Sequence, residues 1–296
     1  MTLRRSSIAV LAALALSAFT AATASAGPWS LAPGEYYTEL LGSFYSTGTY
    51  YDDNGDRMGA GGLYEQRGLT SYTELGWKKH TSIQMSLPAL SNTVRPESGV
   101  PASRAGLGDV SLGLRYALAN KANAAAIQLG WSAPSGYNAN LQPALGRGLQ
   151  RLQASLQLGR PLGKNGFVQA GGGYAYEYLT IGSRSTDAAD RPSERSWADH
   201  VTANAAVGLW FGRLLVAGQY QGEFPAQTGF ATETTTHLAG PRFAYRVDER
   251  LDAVAGSWHS PGGKNVLHVD QYYAGVAFKV TKLNRLQGFL GGDKRP

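Results

Sequence analysis

Among the 296 residues there is no cysteine. No disulfide can therefore hold the fold, and thiol catalysis and thiolate metal ligation are excluded. Long apolar runs are missing too: beyond the first residues none approaches the roughly 20 residues that a membrane-spanning helix needs. Charge of one sign is weak. The formal net charge of +6 falls to +4 without Arg4 and Arg5, and the excess is spread along the chain without a cluster. A basic stripe of the kind that binds nucleic acid is thus absent.

The N-terminus carries a different signal. Arg4 and Arg5 precede the apolar run from Ile8 to Phe19, and Ala24-Ser25-Ala26 stands just before Gly27. A basic start, a short apolar run and an A-x-A-like site predict a secretory signal peptide over residues 1–26. An exported chain without disulfides has to be held by burial in a core or in a membrane.

The chain is rich in glycine and tyrosine, with 38 and 16 residues. A bilayer crossed without apolar helices requires a closed barrel, because open backbone edges cannot be left in hydrocarbon. The periodicity fits this. In AGLGDVSLGLRYAL (105–118), Val110, Leu112, Leu114, Tyr116 and Leu118 alternate with Asp109, Ser111, Gly113, Arg115 and Ala117. A period of two makes one face apolar and the other polar or small. Ile127, Leu129 and Trp131 repeat the pattern after a short turn, which makes a hairpin.

Further hairpins follow around Lys78–Thr81, GRPLGKNG and Gly212-Arg213. Pro241 cannot donate to a ladder and suggests a bulge. About twelve strands of roughly 9–14 residues suit tilted membrane strands. The connections alternate between tight turns and long polar loops at 50–62, 91–104, 135–148 and 184–196. Short turns on one side and long loops on the other are the topology of an outer-membrane barrel, with the short side periplasmic. A soluble β-sandwich would also alternate, but its strands are usually shorter. The prediction is an all-β, transmembrane, antiparallel up-and-down β-barrel over 27–280, followed by a periplasmic tail at 281–296.

Candidate chemistry is sparse. GLGDVSLG lacks the strand-to-helix context and the positive charge of a phosphate loop, so its glycines read as room on the inner wall. The five histidines form no compact ligand spacing. His259-Ser260 could suggest a hydrolytic pair on the barrel's outer wall. A dyad on a strand wants residues two apart, and these neighbours point to opposite faces. No catalytic residue, cofactor or metal is expected.

The alternation places Glu74, Asp109, Arg115, Arg151, Gln153, Glu177, Gln219 and Glu223 on the inner face, and these are the expected pore-lining residues. Their mixed charge disfavours strong selection for either ion sign. A barrel of about twelve strands is wider than the eight whose side chains alone fill it, so some lumen should remain.

The segment GLGDVSLGLRYAL resembles the Gly-x-Gly-Asp signature of a bacterial outer-membrane family named after the meta-pathway of phenol degradation, whose members are called transporters. Gly106, Gly108, Asp109, Gly113, Leu114, Arg115 and Tyr116 carry the resemblance. It implies a barrel that helps small, often hydrophobic or aromatic compounds across the outer membrane. The expected partners are outer-membrane lipid, a small-molecule solute and the barrel-insertion machinery, which reads a terminal aromatic, here Phe278. The expected function is passive passage of solutes. The alternatives are a structural or partner-binding barrel with an occluded lumen and, behind it, a lipid-modifying enzyme.

Overall fold

The computed structural model describes residues 28–120, 123–138, 141–179, 198–227 and 233–280. The expected signal peptide, the tail at 281–296 and the loop stretch at 184–196 lie outside the described residues.

Among the described residues fifteen strands follow one another: β1 (Tyr36–Tyr51), β2 (Arg57–Lys78), β3 (Thr81–Pro96), β4 (Ala102–Leu107), β5 (Asp109–Asn120), β6 (Ala124–Pro134), β7 (Leu149–Leu162), β8 (Gly166–Leu179), β9 (His200–Phe211), β10 (Leu214–Pro225), β11 (Thr235–Arg246), β12 (Leu251–His259), β13 (Gly263–Lys264), β14 (Val266–Leu267) and β15 (Asp270–Val280). Neighbours pair antiparallel, and β15 returns to β1 with Tyr36 opposite Val280, so the sheet closes. β4 and β5 both pair with β3 and form one stave parted at Gly108. β13 and β14 are short pieces in a connection that pair with β11 and β1. The result is a closed barrel of 12 staves.

Side chains sort by the period of two. Outward positions are apolar and exposed, among them Leu69, Leu112, Leu129, Leu158, Val207 and Val276. Inward positions are polar and buried: Glu74, Ser82, Asn92 and Arg115 are all at 0 % exposure. A soluble protein does the reverse, so this outer surface is built for lipid. The lumen itself has two sides. Leu41, Tyr45, Leu238, Val254, Trp258 and Tyr273 form an apolar cluster on β1, β11, β12 and β15 that Tyr64 extends onto β2 and Leu215 and Ala217 onto β10, whereas the buried inward side chains from β3 to β9 are mostly polar.

Two expected loops are mostly strand. The connection read at 50–62 shrinks to residues 52–56, because β1 runs to Tyr51 and β2 starts at Arg57. Asp52 explains the tightness: its Oδ1 accepts from the Asn54 and Asp56 amides at 2.9 and 2.8 Å, which closes the turn on one side chain. Likewise β3 continues to Pro96 and β4 begins at Ala102. At 22 residues, β2 is about twice the length that crosses a bilayer.

Candidate functional site: the closed lumen

The described residues of the connection at 135–148 contain no strand, and its second half folds into the barrel, leaving Ala144 and Leu145 at 4 % and 3 % exposure. Its seat is the Gly-x-Gly-Asp stretch. A Cβ on Gly108 would stand 2.7 Å from the Leu145 carbonyl oxygen, so only glycine lets the two backbones come this close. Asp109 then holds the segment: Oδ2 accepts from the Arg147 amide at 2.8 Å, and Oδ1 accepts from the Tyr137 hydroxyl. Burial, and then the Asp109 carboxylate, raises the Tyr137 phenol well above its ordinary value, so it stays a donor. Arg104 donates to the Asn138 and Leu141 carbonyls at 2.6 and 3.1 Å, and Asn92 donates to that of Ala144 at 2.5 Å.

This anchoring delivers Arg147 to the middle of the lumen. Its guanidinium bonds Glu177 through Nη1 and Glu223 Oε2 through Nη2, the latter at 2.6 Å. Arg151 completes the group, with Nη1 3.0 Å from Glu223 Oε1 and 3.6 Å from Glu177 Oε1. Elsewhere on the inner wall Arg115 donates to both oxygens of Glu74 at 2.9 Å, while Ser82 and Tyr72 donate to the same carboxylate. Arg242 pairs with Glu39.

The end that carries the tight turns is covered as well. Residues 28–35 cross the mouth: Pro28 and Trp29 lie against Gly159, and Ala32 lies against Gly76. Asn120 donates to the Ser30 carbonyl at 3.2 Å.

Between these covers lies a cavity of about 580 Å³. Asp109, Arg115, Arg151, Gln153, Glu177, Gln219 and Glu223 border it; Glu74 is fully buried behind them and meets Arg115 instead. Gln153 donates to Thr202 at 3.3 Å, and Gln219 to the Tyr273 hydroxyl at 2.8 Å. Trp29, Phe167, Leu215 and Trp258 also border the cavity, so its wall is not polar all round as the alternation suggested.

Reading the chain as strands and loops misses Arg147 and Tyr137, because both stand in a connection. A signal was present: Pro143-Ala144-Leu145 places apolar residues in a polar loop, and Gly146 and Gly148 flank the one arginine. The reading also mistakes what the glycines do. Gly106 and Gly108 make room for this segment and not for a solute, since a Cβ on either would meet Leu145.

One polar group lies on the outer wall. Ser257 Oγ is 2.9 Å from His259 Nε2, and His259 Nδ1 is 2.8 Å from Asp270 Oδ1. The spacing that Ser260 lacks is met on the other side of His259. Ser257 stands two residues before it, on the same face.

A family described as "Putative MetA-pathway of phenol degradation" matches residues 64–266. The chain belongs to this family. Its matched span contains the Gly-x-Gly-Asp seat, the inward connection and all four residues of the Arg147 cluster. Among solved structures, the COG4313 outer membrane channel from Pseudomonas putida F1 is similar over 87 % of this chain and 100 % of that one, at 11 % identity and a TM-score of 0.69. The NanC porin is similar over 82 % and 100 %, at 12 % identity and 0.52. The transport unit of the autotransporter AIDA-I from Escherichia coli is similar over 93 % and 98 %, at 9 % identity and 0.51. Likeness at such identities is likeness of fold, and together with the lipid-facing belt it places the barrel in the outer membrane. No curated protein matches the sequence.

Proposed function

We propose that the protein is a passive outer-membrane channel whose chamber suits small, weakly charged solutes, aromatic or hydrophobic ones above all. The observation that carries this reading is the mixed wall of the cavity. It offers Trp29, Phe167, Leu215 and Trp258 as apolar and aromatic surface, together with carboxylates and guanidiniums already paired with each other. Paired charges give a solute ion little to bind, whereas an aromatic ring gains from apolar and aromatic surface. A volume of about 580 Å³ falls within the range of small-molecule sites, roughly 300–1,000 Å³. The printed description of the neighbour from Pseudomonas putida as a channel supports the same reading.

In this reading Asp109, Arg115, Arg151, Gln153, Glu177, Gln219 and Glu223 line the path, with Glu74 fixing Arg115. The 135–148 connection is the constriction. The outward belt meets lipid, and Phe278, outward on β15, serves the insertion machinery. The test is liposome swelling with phenol-sized aromatics, sugars and amino acids, beside single-channel recording. Faster entry of aromatics than of equally small sugars is expected. A rate set by size alone would sink the solute preference, and an Asp109→Ala, Arg115→Ala pair with unchanged conductance and selectivity would sink the lining assignment.

The covers at both ends favour a second reading, a closed barrel that binds partners through its surface loops. It predicts no conductance even after the Arg147 cluster is broken.

A further inference from the structure

The geometry points to a second, independent site: a serine hydrolase triad of Ser257, His259 and Asp270 on the lipid-facing wall, acting on the acyl ester of a lipid. Three strand positions build it. Ser257 and His259 are two apart on β12 and so leave on one face, while Asp270 is the cross-strand partner of His259 on β15. The two imidazole nitrogens are used separately, Nδ1 towards the carboxylate at 2.8 Å and Nε2 towards the hydroxyl at 2.9 Å. That is the order nucleophile, base, orienting acid that makes a hydroxyl into a nucleophile. His259 and Asp270 keep 43 % and 44 % of their side-chain surface exposed, and Tyr272 stands edge-on to the imidazole at 6.0 Å.

The wall around the triad points to the substrate. Below Ser257 the outward positions of β12 are Ala255 and Ala253, both exposed. On β11 their neighbours are larger, Tyr245 beside Ala253 and Phe243 beside Ala255; on β15 Val276 stands beside Ala253, the exposed Ala274 beside Ala255 and Tyr272 beside Ser257, the four large residues being 40–58 % exposed. Ala253, Ala255 and Ala274 between these larger side chains make a narrow furrow that runs down the apolar belt, widens onto β15 at Ala274 and ends at Ser257. An extended acyl chain has this width and polarity. Ser257 is 6 % exposed and lies at the furrow's floor, where the register sets Tyr272 on one side of it and Pro241 on the other. The triad stands at the end of β12 that continues into the long connection 260–269, opposite the tight 247–250 turn. It therefore meets the level where acyl chains join their headgroups in the outer leaflet.

The chemistry balances with water as the only co-reactant. His259 Nε2 takes the Ser257 proton as Oγ bonds to the acyl carbonyl carbon. The ester C–O bond then breaks and His259 protonates the departing alkoxide. Water attacks the acyl-serine, giving its proton to His259, and the fatty acid leaves with the serine restored. Asp270, 2.8 Å from Nδ1, holds the imidazole in place.

The test uses the full-length barrel in detergent micelles, its folding checked by heat-modifiable gel mobility. A fluorescent fluorophosphonate should label Ser257, located by peptide mass. The labelling rate should fall about 100-fold or more in His259→Gln and clearly in Asp270→Asn, and fatty-acid release from p-nitrophenyl palmitate in mixed micelles should fall with it. Ser257→Ala should abolish both and leave conductance unchanged, because the residue faces away from the lumen. The assignment is overturned if folded wild-type protein takes no label at Ser257, or if His259→Gln takes it as fast.

Discussion

Asp109 carries two roles that alternation alone could not separate. Its inward direction was legible in the sequence; its partners were not, because the Arg147 amide and the Tyr137 hydroxyl are 38 and 28 residues away and arrive by a fold of the connection. Asp109→Ala removes both acceptors and leaves the barrel wall intact, so the inward segment should loosen. The expected result is a several-fold rise in open-channel conductance with little change in the temperature at which the barrel loses its gel mobility. Arg115 behaves differently. It is at 0 % exposure and bonds both oxygens of a Glu74 that is equally buried. Arg115→Met leaves that carboxylate uncompensated, which costs about 3–5 kcal/mol. The unfolding midpoint in urea should drop accordingly, and adding Glu74→Gln should recover most of the loss, since the second change removes the stranded charge.

At the scale of elements, the alternating strands were the most readable part of the chain, and the ends of the loops were the least. The turn at Lys78–Thr81 falls where expected because side-chain direction changes register there. The extensions of β1, β2 and β3, YY at 50–51, RMGAGG at 57–62 and SNTVRP at 91–96, hold only Met58 and Val94 as large aliphatic residues, because the hydrophobic period fades once a strand leaves lipid. The sequence marks the 135–148 connection only as a long polar loop, one of those whose inward folding sets the effective width, and the inward fold itself depends on a fit that no periodicity encodes. That fit is testable through glycine. Gly108→Val puts a branched Cβ where the Leu145 carbonyl sits at 2.7 Å, so the segment has to lift. The variant should conduct more than wild type and lose protection of the 143–146 stretch against added protease in detergent, while β4 and β5 stay paired with β3.

For the whole molecule the decisive quantity is how charge is distributed across the narrowest level. Arg147 and Arg151 face Glu177 and Glu223 there, with Asp109 beside them already bonded to the segment that carries Arg147. Two cations stand against three carboxylates, of which Asp109 is spent on the Arg147 amide and the Tyr137 hydroxyl, so the net field is weak and a passing ion feels such fixed groups mainly as short-range contacts. Wild-type channels should therefore show a reversal potential close to zero in a potassium chloride gradient. Arg147→Glu removes one cation and adds a fourth carboxylate at the same level, with repulsion opening the constriction as well. Focusing by low-dielectric walls then acts on a net negative ring. The expected outcome is a larger conductance and a reversal potential shifted strongly towards that of potassium. An unshifted potential would mean that ions pass by a route that does not include this level, and the constriction would have to be sought at the tight-turn end beside Trp29.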